Sequence, residues 1–207
     1  MLLGAPDGGL ELRAEGDGSH RLRGRFPYGS LATLSDGGRR GRPRKETFAS
    51  RAFAYRVERE AEEIHLLIGH DYGKPLASRS AGTLTLEDGD DALTFTAIIT
   101  RAIAATSHGA DALALIGAGL AIGLSPGFRI PPERTVPNAE RVEEEDPSLG
   151  NAIIRTITAA LLYELSVVTR PAYKEAEVEA RRWEPDARAA VVESQIRRYR
   201  AMRQWRL

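Results

Sequence analysis

The stretch Gly123-Leu124-Ser125-Pro126-Gly127, continued by Phe128-Arg129-Ile130-Pro131-Pro132, decides which folds are open to this chain. Gly-x-Ser-x-Gly is the signature of the nucleophile elbow of α/β-hydrolases, where a strand precedes the serine and a helix follows it. Here Pro126, Gly127, Pro131 and Pro132 follow closely, and such a segment cannot start a helix. That fold also needs its histidine after the serine. The four histidines, His20, His65, His70 and His108, all come before Ser125. The elbow is excluded, and the pentapeptide by itself reads as a serine in a glycine-flanked turn.

Outward from this segment the pattern is mainly β. From Phe48 to Ile99 the chain alternates: Ala52, Ala54 and Arg56 against Phe53, Tyr55 and Val57, then Ile64, Leu66 and Ile68 on one face of a second strand. Thr83–Leu86 and Ala92–Ile98 predict a hairpin, with Asp88-Gly89 as its turn. Ser107 has the character of a helix N-cap, ahead of Leu113, Ile116 and Leu120 on one side. Residues Ala152–Ile157 and Leu161–Thr169 predict two more strands, the second stopped by Pro171. A C-terminal helix starting near Pro185 would carry Ala189, Val192, Ile196, Tyr199 and Met202 as its apolar stripe, with Arg197, Arg200, Arg203 and Arg206 opposite. The class is α+β: a mainly antiparallel sheet or barrel flanked by helices. The expected organisation is a flexible N-terminal segment at 1–24 and one domain at 25–183, followed by the basic amphipathic helix at 184–207. Within the domain, residues 130–150 combine Pro131, Pro132, Pro137 and Pro147 with the acidic run Glu143–Asp146, which predicts a mobile insert.

Composition narrows the function. With 207 residues the chain suits one domain with a real core. Its 29 basic and 29 acidic residues cancel, so no global charge points to nucleic acid or to an anionic membrane. There are no cysteines, which removes disulfides, thiolate metal sites and cysteine nucleophiles and suits a reducing, cytoplasmic setting. No His-Glu-x-x-His or clustered-ligand spacing is present, so neither a metal nor another cofactor is expected. The longest apolar run, Ala112 to Leu124, falls short of the ~20 residues of a membrane helix, and residues Met1–Leu10 lack the basic and apolar regions of a signal peptide.

Three segments raise the serine above a turn residue. They are Leu67-Ile68-Gly69-His70-Asp71, then Gly123-Leu124-Ser125-Pro126-Gly127-Phe128, then Glu164-Leu165-Ser166-Val167-Val168-Thr169-Arg170-Pro171-Ala172. Their order and spacing resemble the prohead (capsid-maturation) serine proteases of tailed phages and gene transfer agents, over roughly Arg25 to Tyr173. The resemblance implies a fold similar to the herpesvirus assemblins, a β-barrel wrapped by helices.

It implies catalytic roles as well. Ser125 would be the nucleophile and His70 the base that takes its proton, a role suited to an imidazole titrating near neutrality. The third member implied is Glu164; Asp71, adjacent to His70, and His108 stand as alternatives. Strand alternation from 65 to 70 would put His65 and His70 on opposite sides, leaving His65 a packed or surface residue. Backbone N–H groups of Gly127 and Phe128, or the side chains of Arg129 or Arg155, are candidates for an oxyanion hole; an ordinary solvated strand position suits Arg155 better. The function implied is a serine endopeptidase acting within assembling proheads on the major capsid protein or a scaffold segment, with its own chain as a further candidate substrate. A homo-oligomer is expected, with neither membrane nor specific nucleic acid as partner. The alternative is an inactive scaffold or capsid-assembly protein on the same fold.

Overall fold

The computed structural model describes residues 10–121 and 123–169. The proposed C-terminal helix, the stop at Pro171 and the first nine residues lie outside these. Along the chain the strands are β1 (Leu10–Ala14), β2 (His20–Pro27), β3 (Ala32–Ser35), β4 (Arg44–Phe48), β5 (His65–Ile68), β6 (Asp71–Ser78), β7 (Leu84–Asp88), β8 (Ala92–Ile99), β9 (Gly123–Arg129), β10 (Glu140–Glu144), β11 (Ile153–Ile157) and β12 (Leu161–Val168). The helices are short: α1 (Ala54–Val57), α2 (Arg101–Ala104) and α3 (Ser107–Gly117). They follow β4, β8 and α2 respectively.

The strands form three four-stranded sheets with orders β1-β2-β8-β7, β10-β11-β4-β3 and β6-β5-β12-β9. Most pairings are antiparallel; β11 with β4 and β12 with β5 are parallel. The mostly β character agrees with the sequence, but a closed barrel is not found among the described residues. The sheets meet on an aromatic cluster. Phe26 on β2, Phe48 on β4 and Phe128 on β9 bring one ring from each sheet, with centroids 5.3 Å apart for Phe26–Phe48 and 5.1 Å for Phe48–Phe128. Phe53, fully buried, fills the space between them. Edge-to-face rings at such spacings add to the stabilisation that area burial provides.

Four local expectations change. The segment around Ala52–Val57 is a turn and a helical turn rather than a strand; Ala52, Phe53, Arg56 and Val57 are its buried residues, a three-to-four spacing that simple alternation hid. The cap of α3 is Thr106, whose hydroxyl accepts from the Gly109 N–H, one residue before the serine expected there. Strand β6, which the sequence pattern does not mark, contains Pro75. It lies at the sheet edge, where a missing N–H costs no ladder bond. And the segment expected to be flexible contains, besides the short strand its sequence allows at Leu10–Arg13, the start of β2: Leu12 pairs with Leu22, and Leu10 and Leu22 enter the core.

The largest correction concerns the segment expected to be a mobile insert. Strand β10 pairs with β11 along its whole length. Ala139 and Val142 are buried, and the Ala139 carbonyl accepts from the N–H groups of Thr158 and Ala159. Two members of the acidic run, and Glu140 before it, have basic partners from elsewhere in the chain. Glu140 pairs with Arg155, Glu144 with Arg42 at 2.8 Å, and Glu145 with Lys45. Arg155, for which the sequence suits a solvated strand position, is only 3% exposed and is held between Glu46 (2.8 Å) and Glu140. Composition cannot show such pairing, because the partners are about a hundred residues apart in several cases.

Replacing Glu140–Leu149 with a short Gly/Ser linker is therefore expected to destabilise the fold by at least about 2 kcal/mol, since it removes a strand and the buried Val142 side chain. A urea midpoint equal to that of the unaltered chain would show the strand to be dispensable.

Candidate active site

Strand β12 is the centre of the site, with β5 on one side and β9 on the other. Its core face carries Leu165 and Val167, matched by Leu66 and Ile68 on β5 and by Pro126 and Leu124 on β9. The opposite face carries Glu164 and Ser166, matched by His65 and Leu67 on β5 and by Gly127 and Ser125 on β9. Ser125 is thus directly across from Ser166, and Gly127 across from Glu164. A register shift at Tyr163 sets Leu162 against Phe128 and Glu164 against Gly127. Because Gly127 and Phe128 face opposite ways, Leu162 belongs to the core face and not to the face of Glu164, as unbroken alternation would have it. Bulges commonly re-aim a side chain in this way. The guanidinium of Arg56 lies 4.1 Å from the ring centroid of the bulged Tyr163, joining α1 to this strand.

His70 reaches this face by a turn. Ile68 pairs with Asp71, so Gly69 and His70 form a two-residue hairpin loop, and both have positive φ, +59° and +63°. That is the type I′ pattern, which suits the twist of an antiparallel pair. Glycine adopts it freely, and histidine is among the residues that tolerate it. The turn is pinned to β12 by two bonds: the Gly69 N–H donates to the Val167 carbonyl (3.1 Å), and the His70 N–H donates to Ser166 Oγ (2.8 Å). The reversal overturns the alternation argument about His65 and His70. Position 65 stands opposite Glu164 in the parallel ladder, and the ring of His70 returns to that same face.

The result is a short chain of hydrogen bonds. His70 Nδ1 lies 2.7 Å from Glu164 Oε1, and the Ser166 hydroxyl donates to Glu164 Oε2 at 2.7 Å. Glu164 is 3% exposed and Ser166 fully buried. The carboxylate bound to its ring holds His70 above the ordinary imidazole value of 6.5, although partial burial acts the other way. Ser125 is 4% exposed and lies one strand away on the same face. No hydrogen bond joins it to His70 among the described residues.

The other candidates lie elsewhere. Asp71 accepts from the Gly73 N–H (2.8 Å) and pairs with Lys74 (3.1 Å); these contacts hold its carboxyl below the usual range and leave it propping the turn. His108, on the first turn of α3, donates through Nε2 to the Pro75 carbonyl at 3.1 Å. His65 lies 3.8 Å from Glu63 and edge-on to Tyr72. Arg129, at the exposed end of β9, sits 5.5 Å from the Tyr163 ring centroid. Arg155 belongs to another sheet, buried in its carboxylate pairs, and is no oxyanion donor. The sequence motif assigns Ser166 no role; its place two residues after Glu164 on one strand, hence on one face, is the signal that links the two.

No curated protein and no solved structure matches the chain. One family does: the caudovirus prohead serine proteases, whose family model matches residues 32–189. That span holds all three strands of the face just described, and the chain belongs to the caudovirus prohead serine protease family.

Proposed function

We propose that this protein is a serine endopeptidase that cleaves capsid or scaffold segments within assembling proheads, with Ser125 as nucleophile, His70 as general base and Glu164 as the group that orients and charges His70. Family membership supports the protease and its prohead setting. The observation that carries the residue assignment is the 2.7 Å contact of His70 Nδ1 with Glu164 Oε1, on the sheet face that also holds Ser125. Since Nδ1 is engaged by the carboxylate, Nε2 is the nitrogen left to accept a proton. As Ser125 Oγ bonds to the scissile carbonyl carbon, its proton passes to Nε2; the imidazolium then gives it to the leaving amine as the C–N bond breaks. Water repeats the sequence on the acyl-enzyme and releases the acid. Glu164 stabilises the imidazolium in each half. Among the described residues no helix is long and apolar enough to cross a membrane.

Ser125→Ala and His70→Ala should each lower cleavage of a co-expressed capsid protein by at least ~10³-fold with the fold retained, read by mass spectrometry of the capsid chain. Near-normal cleavage by either variant would sink the assignment. An unreactive Ser125 toward a fluorophosphonate in the folded protein would favour the inactive scaffold.

The carboxylate makes the alternatives separable. Glu164→Gln should cost about 10²–10⁴-fold in kcat, whereas Asp71→Asn should cost about tenfold or less, equivalent to ~1.4 kcal/mol. The reverse ranking would make Asp71 the third member.

The raised His70 value sets the pH profile. The ring must be neutral to act as base, so activity is low in acid and rises through a midpoint above 6.5. Glu164→Gln removes the cause of the shift, and the midpoint should then move down. A profile flat through this range would exclude a histidine base.

A further inference from the structure

The two glycines nearest the site serve different physical needs. Gly69 has a left-handed φ of +59° and open space where a Cβ would project, so its conformation is what requires glycine. Gly127 is the converse. Its φ is not in the left-handed region, and any residue could adopt its backbone. What it lacks is room: a Cβ there would stand 2.6 Å from Glu164 Cδ, 2.8 Å from Cγ and closer still to Oε1. Real Cβ atoms do not approach carbon so closely. The Glu164 side chain therefore lies flat across the Gly127 Cα, in the hollow left by the missing side chain. Oε1, the oxygen over that hollow, is the one bound to His70 Nδ1.

We propose that Gly127 is a positioning residue: the empty space at its Cα is the seat of the Glu164 carboxylate, and it directs that carboxylate along the sheet to His70. This rests on the reading of Glu164 and His70 as catalytic partners. The direct pairing of Gly127 with Glu164 across β9 and β12 makes the seat a consequence of register. The bulge at Tyr163 sets that register, because without it the residue opposite Gly127 would not be Glu164. The atoms that a new Cβ would strike belong to one flexible side chain and not to backbone. The fold can therefore absorb a methyl group by moving the carboxylate, and the cost falls on His70. The closing glycine of Gly-x-Ser-x-Gly is here a matter of space beside the acid, not of a strained turn at the serine.

The test is Gly127→Ala, with the His70 imidazole followed by NMR titration and cleavage followed by kcat and KM. The His70 midpoint should fall toward 6.5, as it should in Glu164→Gln, and the acid limb of kcat should move with it. At the optimum kcat should drop about 10²-fold, the scale of an ångström's misplacement, with KM within ~3-fold of the unaltered chain. Adding Gly127→Ala to Glu164→Gln should lower kcat little further, because both act through one contact. If Glu164→Gln lowers the His70 midpoint and Gly127→Ala leaves it in place, the proposal is overturned while the catalytic assignment stands. If Gly127→Ala lowers the midpoint in a chain without peptidase activity, the seat is real and the catalytic assignment fails. Should Gly127→Ala not fold, Gly127→Ala with Glu164→Ala decides: a folded double variant shows crowding against Glu164 and supports the seat, and an unfolded one shows that glycine is needed for the backbone and overturns it.

Discussion

A carboxylate that is 3% exposed has lost most of its water, and something in the protein must replace those hydrogen bonds. Around Glu164 that requirement organises the whole sheet. Oε1 meets the His70 ring and Oε2 the Ser166 hydroxyl. The same hydroxyl accepts the His70 N–H, so the donor that satisfies Glu164 also anchors the turn that carries the imidazole. The bulge at Tyr163, the left-handed Gly69-His70 loop and the vacant Cβ position at Gly127 all border this one group. A partly satisfied buried network is costly, which ties these features to one another.

The sheet β6-β5-β12-β9 works with two faces of different chemistry. Its core face holds Leu66, Leu165, Val167, Leu124 and the packed Phe128, and that face fixes where β9 lies. The other face holds Ser125, Glu164 and Ser166. Because Phe128 is locked against Phe48 and Phe53 from other parts of the fold, the strand that carries Ser125 is held from its far side. A site mounted on packed strands keeps its geometry better than one mounted on loops. The single departure is His70, which sits on a turn and is restrained by bonds to β12.

The second buried charge cluster follows the same rule to another end. Arg155, 3% exposed, is bound by Glu46 and Glu140 across three neighbouring strands. Here one guanidinium bridges two carboxylates and ties β4, β11 and β10 together. At Glu164 the partner is an imidazole, whose charge can change during a reaction. The identity of the partner, rather than the burial of the acid, separates a structural pair from a catalytic candidate.

Local chemistry made much of this legible in the sequence. Alternation located β5, β7, β8, β11 and β12 to within a few residues, and Asp88-Gly89 marked the β7–β8 turn. The order of the histidine, serine and glutamate motifs was enough to point to the prohead protease family and to exclude the α/β-hydrolase elbow. What the sequence could not decide was everything that depends on a neighbour distant in the chain. The β10 segment looked like a solvated insert because its carboxylates find their cations on β4, β11 and the segment between β3 and β4. Arg155 looked solvated for the same reason. His65 and His70 were separated by a parity rule that assumes a continuous strand, and only the Gly69-His70 turn brings the ring back to Glu164. Likewise the bulge at Tyr163 changes which residues share a face. Pattern along a chain reports which side of an element is apolar; which two elements touch, and in what register, is set by packing between segments that are apart in the chain, and that belongs to the tertiary structure alone.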